Sequence, residues 1–582
     1  MSLEPVEGRV LQPALPLPPL SPAGRAEALR RLAAEQFDLL VVGGGVTGCG
    51  AALDAVTRGL RVGLVEARDL AAGTSSRSTK LFHGGLRYLE QLNFALVFEA
   101  LKERRLALET LCPHLAKPVP FLYPLTRPVF DRAYAGLGIG VYDVMGSGRG
   151  VPNHLRHLSR RQTWESFPSA NREVVRGAIS FYEGQVDDAR HTMMIGRTAA
   201  HYGAAVATST RVVGFRREAD RVAGVRVRDL ESGSEFDVRA AQIINAAGVW
   251  MDELQEMMGG RGQFRVRASK GIHLVVPRNR INSRTGVITR TEKSLLFIIP
   301  WGDRWIIGTT DTDWALDRAH PAASSADIDY LLGHANRLLA DPLDRDDVVG
   351  VYAGLRPLLA GESESTSKLS REHAVASPVR GVVTVAGGKY TTYRVMAKDA
   401  VDAAVADLDL RVPESCTEEV PLLGAEGYRA LWNTRALIAE ETGLTPVQVE
   451  HLLNRYGSLL PELRALLVEQ PELAAPLDSA PGYLKVEAVY AAAYEGALHL
   501  DDILARRTHI SIETWDRGVA AATEVAGLVA PVLGWGEAEV AREIEHYDKR
   551  VAAERESQFQ PDDLAADAAR LGAPDVRMGR TG

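Results

Sequence analysis

Cysteine is scarce in this chain. Its 582 residues hold three, Cys49, Cys112 and Cys416, far apart and without a C-x-x-C pair. Neither a disulfide framework nor a cysteine-based metal site is expected from that spacing, and no metal is assigned. The first residues carry no basic stretch leading into a short apolar core and a small-residue cleavage site, so no signal peptide is expected. Both absences favour a reducing, cytoplasmic-side setting. Long apolar runs are missing as well. Nothing approaches the ~20 uninterrupted apolar residues of a membrane-spanning helix, which leaves only peripheral membrane contact. The one pointer to it is the glycine-rich apolar segment 133–145, followed by Arg149, Arg156, Arg160 and Arg161. A buried helix with a solvated basic flank is the preferred reading of that segment over an interfacial helix. There is no long basic run, and a net charge of −8 with a pI near 6.0 gives no overall pull toward nucleic acid.

What the chain does have is core-forming material. Hydrophobic residues make up 46% of it, and its length suggests about three domains. Residues 1–24, containing LQPALPLPPLSP, read as a flexible tail, because closely spaced prolines prevent a long helix or an inner strand. A short helix is expected over 26–36 and a second, covering helix over 92–111, where Cys112-Pro113 stops the pattern. Valine alternates with charged residues over 211–239, as in antiparallel strands, and Ile243 to Gly248 reads as a buried parallel strand before a helix at 250–258. Further strands are expected at 272–276, 294–300 and 304–308, a mixed sheet facing a substrate. Beyond Val412 the pattern turns helical, as at 446–456, 486–498 and 537–554. The expected division is a tail at 1–24, a cofactor domain at 25–410 with a cap mainly at 91–175 and 262–350, and a helical domain at 411–582.

The chemistry is concentrated between Phe37 and Tyr88. An apolar run at 37–42 feeds Gly43, Gly45 and Gly48 in G-x-G-x-x-G spacing, then a helical pattern to about Gly59 and a strand at 60–65 ending in Glu66. The first glycine allows the tight turn, the second admits a pyrophosphate to the backbone, and the third lets the helix pack on its strand with its N-terminus toward the phosphates. A carboxylate at Glu66 can accept from adenosine ribose hydroxyls and would repel a 2′-phosphate, which argues against NADP. Alone the glycines are a weak signal, but strand, turn, helix, strand and acid in register form a dinucleotide fingerprint. The following AAGTSSRSTK supplies hydroxyls, amides and one cation, through Thr74, Ser75, Ser78 and Lys80. That suits the long polar face of FAD better than NAD. A second glycine turn, Gly387-Gly388-Lys389, precedes a helical pattern at 390–408 and could aim amides at a flavin carbonyl.

In order along the chain, GGGVTG, GTSSRSTKLFHGGLRYLE, SKGIHLVVP, AGLRPLL, SREH and VAGGKYTTYR resemble the FAD-dependent, quinone-linked glycerol-3-phosphate dehydrogenases. The resemblance runs from Phe37 to about Glu556 and includes LDDILARRTHIS. It implies an α/β and α+β fold: a Rossmann-like FAD-binding domain, a mixed-sheet substrate cap of the D-amino-acid-oxidase kind and a helical C-terminal domain. It also implies oxidation of sn-glycerol 3-phosphate at C2 to dihydroxyacetone phosphate, a membrane quinone as acceptor, and peripheral association with the cytoplasmic face of the inner membrane. Oligomeric state is left open, a homo-oligomer included.

A phosphorylated polyol calls for fixed cations beside the flavin. The matched blocks offer Arg87, Tyr88, Arg371 and Lys389 to hold phosphate, with Arg356 and His273 nearer the C2 hydroxyl. One of the latter pair could stabilise developing alkoxide charge, and His273 could accept the proton. For FAD the resemblance carries over Gly43, Gly45, Gly48, Glu66, Thr74, Ser75, Ser78, Lys80, His83, Gly85, Gly388 and Thr391. The nearest rival is an oxidase of the same substrate that reduces oxygen to hydrogen peroxide. An amino-acid or hydroxy-acid oxidase would need fewer cations, and a non-catalytic flavoprotein would hold flavin without turnover.

Overall fold

In the computed structural model, which describes residues 19–84, 93–126, 156–259, 264–292, 294–360 and 372–577, strand Gln36–Val42 is the axis of an eight-stranded sheet. Val62–Val65 lies parallel to one side of it and Glu235–Asn245 parallel to the other, in register from Gln36 opposite Arg239 to Val42 opposite Asn245. Ala205–Ala207 extends the parallel set beyond Val62–Val65, and Val382–Gly387 extends it beyond Glu235–Asn245. These strands are near-continuous apolar runs because helices cover them. Helix Val46–Thr57 packs with Asp188–His201 and Tyr393–Val405 over a core that includes Leu39, Val41, Ile195 and Val401.

The alternation at 211–239 folds as antiparallel strands Thr210–Glu218, Arg221–Asp229 and the start of Glu235–Asn245. The expected helix at 26–36 instead spans Pro22–Ala34, because the Ser21 hydroxyl accepts from the Gly24 amide and Pro22 suits the first turn. Residues 19–24, expected as tail, are therefore structured: Leu20 is buried, and next to them Arg25 pairs with Asp229 at 2.6 Å. Residues 1–18 and segment 133–145 lie outside the described residues.

The second sheet has ten strands. Its centre, Val266–Pro277, pairs antiparallel with Gly350–Leu359 on one side and with Arg304–Gly308 and Thr312–Trp314 on the other. Strands Leu295–Trp301, Gly286–Arg290, Ala116–Pro124 and Ala178–Val186 continue it to Leu81–Phe82. The cap sheet thus draws on residues before 91 and after 350. The chain crosses between sheets several times, which a reading by contiguous blocks does not convey.

Beyond this lie helices such as Pro446–Tyr456, Lys485–Tyr494, Val519–Leu533 and Glu537–Ser557. A short hairpin, Pro476–Leu477 with Ala480–Leu484, interrupts them. The helical domain is tied to the first sheet's domain by charge pairs taken out of water. Arg190 and Glu495 meet at 2.6 Å with both side chains fully buried. Among the described residues no helix is long and apolar enough to cross a membrane.

Candidate active site

A large cavity runs between the two sheets from the tip of Val62–Val65 to the turn after Val382–Gly387. At its first end the backbone is the lining. Gly43 sits at φ +114°, and a Cβ there would lie 2.6 Å from the Ala246 carbonyl oxygen. A Cβ on Gly48 would lie 1.9 Å from the Gly43 carbonyl oxygen, so only glycine lets the helix start this close to its strand. Gly45 caps helix Val46–Thr57 without a side chain, and the Ser75 hydroxyl accepts from the Val46 amide at 2.9 Å.

Glu66 closes the same end. Its Oε2 accepts from the Gly44 amide at 2.6 Å and its Oε1 from the Arg68 amide at 2.7 Å. About two of its four acceptor sites therefore remain for a ligand. Burial pushes its carboxyl above the usual range, against the pull of those two amides.

The cap sheet supplies the wall. Side chains two apart share a face of a strand, which brings Gly271 and His273 together with Gly354, Arg356 and Leu358 of the paired strand. The His273 ring stacks on Tyr352, with centroids 4.7 Å apart and planes 10° from parallel, and its Nε2 is 3.1 Å from Thr79 Oγ1. Tyr352 in turn donates to the Ser78 carbonyl at 3.0 Å. Burial, then Arg356, then Lys80 hold the His273 imidazole well below its usual range, so it is neutral at pH 7. Arg356 donates to Ser269 Oγ at 3.4 Å, to Thr309 Oγ1 at 3.1 Å and to the Thr310 carbonyl at 3.2 Å. Asp311 lies 3.8 Å from the same guanidinium.

The far end is the second glycine turn. Gly388 has φ +74°, and a Cβ there would meet Met396 Sδ at 2.4 Å. Thr391 donates to the His83 carbonyl at 3.3 Å, and the Tyr390 hydroxyl donates to the Asp188 carbonyl at 2.8 Å.

Gly43, Gly45, Glu66, Thr74, Ser75, Ser78, His83, Gly388, Lys389, Thr391, His273 and Arg356 all line this cavity. Gly48 stands behind the first turn rather than on the surface. Lys80 does not reach the cavity: it is buried in an ion pair with Asp188, 5.3 Å from the Trp301 ring centroid. Thr74 and Ser78 are partly committed to the protein, Thr74 Oγ1 donating to the Leu355 carbonyl at 2.6 Å and Ser78 Oγ to Asp188 at 2.7 Å. Gly85, Arg87, Tyr88 and Arg371 lie outside the described residues. Sequence reasoning missed Trp250, whose ring packs where a Cβ on Gly73 would come within 3.1 Å. It also missed Asp575 and Arg577, which return from the end of the chain to line the glycine-turn end. No local pattern marks those two.

The arrangement fits a dinucleotide. A side-chain-free helix N-terminus faces the cavity, an acid stands at the neighbouring strand's tip, and a second glycine turn lies at the opposite end.

The chain matches the model of the FAD dependent oxidoreductase family over residues 38–394 and that of the C-terminal domain of alpha-glycerophosphate oxidase over 415–540. Glycerol-3-phosphate dehydrogenase 2 of Mycobacterium tuberculosis is 60% identical to it over 562 residues, 97% of this chain and 96% of that protein. The human mitochondrial glycerol-3-phosphate dehydrogenase is 34% identical, over 88% of this chain and 73% of that one. The crystal structure of the glycerol-3-phosphate dehydrogenase from Bacillus halodurans complexed with FAD superposes with a TM-score of 0.77 at 29% identity, covering 91% of this chain and 98% of that one.

Proposed function

The chain belongs to the FAD-dependent glycerol-3-phosphate dehydrogenases, with FAD as cofactor, and we propose that it oxidises sn-glycerol 3-phosphate at C2 to dihydroxyacetone phosphate. The glycine turn at Gly43, Gly45 and Gly48 would hold the pyrophosphate, Glu66 the adenosine ribose, and the Gly388 turn the flavin ring. FAD held there would supply the two-electron acceptor for the hydride that leaves substrate C2.

The observation that carries the reading is a neutral, buried imidazole on the same cavity wall as a fixed guanidinium: His273 is 2% exposed and beside Arg356. A neutral ring offers a lone pair to the C2 hydroxyl proton. Arg356 then does two things at once. It makes a lasting imidazolium costly, and it stabilises the negative charge that develops on the C2 oxygen. Lys389, with Arg87, Tyr88 and Arg371 of the matched blocks, would hold the phosphate, so that the alcohol is aligned before reaction. Electrons would leave to a membrane quinone, with the protein docked peripherally.

Anaerobic addition of sn-glycerol 3-phosphate to the yellow holoenzyme tests this, with glycerol and lactate as controls. Bleaching by the phosphate ester alone is expected. Bleaching by glycerol at a similar rate would remove the cation set from the argument. Mixing the reduced protein with a soluble quinone or with oxygen then identifies the acceptor, and faster reoxidation by oxygen would overturn the quinone assignment.

A further inference from the structure

A second cavity lies where the C-terminal helices meet strand Gly350–Leu359 of the second sheet and the loop at Ser76 and Arg77. It shares Arg77 with the cofactor cavity and no other lining residue. Four arginines line it, Arg77, Arg506, Arg550 and Arg570, with His320 and His509, against one carboxylate, Glu554. The counter-charge is uneven. Arg506 is satisfied by Asp69, Asp501 and Asp502, and Arg550 shares Asp501 with it, while Glu554 stands 3.7 Å from Arg550. Neither Arg77 nor Arg570 has a carboxylate within ion-pair distance among the described residues. Arg570 is nevertheless buried, at 4% exposure.

His320 makes the surplus of donors explicit. Arg68 Nη2 approaches its Nε2 at 3.5 Å, and Arg570 Nη2 approaches its Nδ1 at 3.3 Å. A neutral imidazole accepts at one nitrogen only, so one guanidinium N–H faces a ring N–H. Burial lowers the affinity of these guanidinium groups for their protons, Glu554 opposes it, and the neighbouring guanidinium groups add to it. Arg77 and Arg570 are both held below the usual range, first by burial, and Arg550 is pushed down to about 10.

We infer that this junction is a binding site for a small oxyanion of the phosphate class, held by Arg77, Arg550 and Arg570 with His320. An oxyanion supplies the acceptors that the lining lacks, and guanidinium forks match its geometry. Binding couples the C-terminal helices to the cofactor loop through Arg77. The Arg77 carbonyl packs where a Cβ on Gly354 would come within 2.5 Å, and its neighbours Thr74 and Ser78 line the cofactor cavity.

The test is calorimetric titration of the full-length oxidised holoenzyme with inorganic phosphate, against chloride at equal ionic strength. Two classes of site are expected. One is the substrate's phosphate position, removed by Lys389→Ala. The other survives that change and weakens at least about tenfold in Arg570→Gln and in Arg77→Gln, since each removes a charged donor. A single class insensitive to both glutamine variants overturns the inference. If those variants do not fold, the wild-type holoenzyme decides: its thermal midpoint must rise with phosphate, in the presence of saturating dihydroxyacetone phosphate, beyond the effect of chloride. No rise beyond chloride rejects the site. Failure of sn-glycerol 3-phosphate to bleach the flavin would leave this titration unaffected, so the two proposals fail separately.

Discussion

Asp69 receives both ends of the Arg507 guanidinium, Nη1 donating to its Oδ2 and Nη2 to its Oδ1 at 2.7 Å each, and Arg506 Nε donates to Oδ2 at 2.6 Å. The carboxylate is fully buried and stands three residues after Glu66, in the loop that follows strand Val62–Val65. The helical domain therefore helps hold the loop after Glu66 in place.

Replacing Asp69 by Asn removes the counter-charge of two buried guanidinium groups without changing side-chain size. Breaking one side of a buried pair costs about 3–5 kcal/mol. The denaturant midpoint of Asp69→Asn is expected to fall accordingly, and the purified protein to hold less FAD. A wild-type midpoint would show that Asp501, Asp502 and Glu495 satisfy the arginines unaided.

The glycine turn gives a sharper steric prediction. A methyl group at Gly48 would lie 1.9 Å from a backbone carbonyl oxygen, which no side-chain rotation can relieve. Gly48→Ala is expected to lose flavin from the purified protein, whereas Gly527→Ala, with nothing within 4 Å of the added carbon, leaves flavin content unchanged. Equal flavin in both would sink the argument from close approach.

That turn was legible in the sequence because its determinants are local: three glycines, an apolar strand before them and an acid after the next strand. The same holds for helix Pro446–Tyr456, whose start is written in the Thr445 and Gln448 capping box. The place of Lys80 is not legible in the sequence, for the opposite reason. It sits among hydroxyls that suit a cofactor, but its carboxylate partner Asp188 is 108 residues away, and its own φ is +56°. Asp575 and Arg577 reach the cavity only because Arg577 donates to Ser209 at 2.6 Å and to Asp502 at 2.8 Å. Pairings at such separation follow from tertiary packing, which periodicity does not encode.

The junction between domains also carries a pH dependence. His499 is buried between Glu543, 2.9 Å from Nδ1, and Glu231, 2.9 Å from Nε2. Burial and Arg577 oppose its proton, but the two carboxylates prevail and raise the imidazole to about 9. The unfolded value is about 6.5, so the folded state binds this proton more tightly. Its contribution, on the order of 3 kcal/mol, is fully present below pH ~6.5 and lost as pH rises through about 9. Unfolding midpoints from pH 6 to 10 should decline over that window in the wild type and decline less in His499→Gln. Parallel profiles would reject the assignment.

The site chemistry is tested most directly at His273 and Arg356. With its imidazole held well below the usual range, His273 stays in its proton-accepting form as pH falls. The limiting rate of flavin reduction should therefore persist below pH ~6.5, where an ordinary histidine base would already be protonated. His273→Gln keeps the side chain polar but removes the base, and a loss of about 10²–10⁴ in that rate is expected, with flavin content unchanged. Arg356→Lys preserves charge but cannot keep the fork of contacts to Ser269, Thr309 and Thr310. Its rate should fall less than that of Arg356→Ala, for which about 10²–10³ is expected if the guanidinium stabilises developing charge. A His273→Gln rate within a few-fold of wild type would move the base elsewhere and leave His273 as the stacking partner of Tyr352. A loss confined to substrate affinity in both arginine variants would place Arg356 with the phosphate-holding cations instead of beside the C2 oxygen.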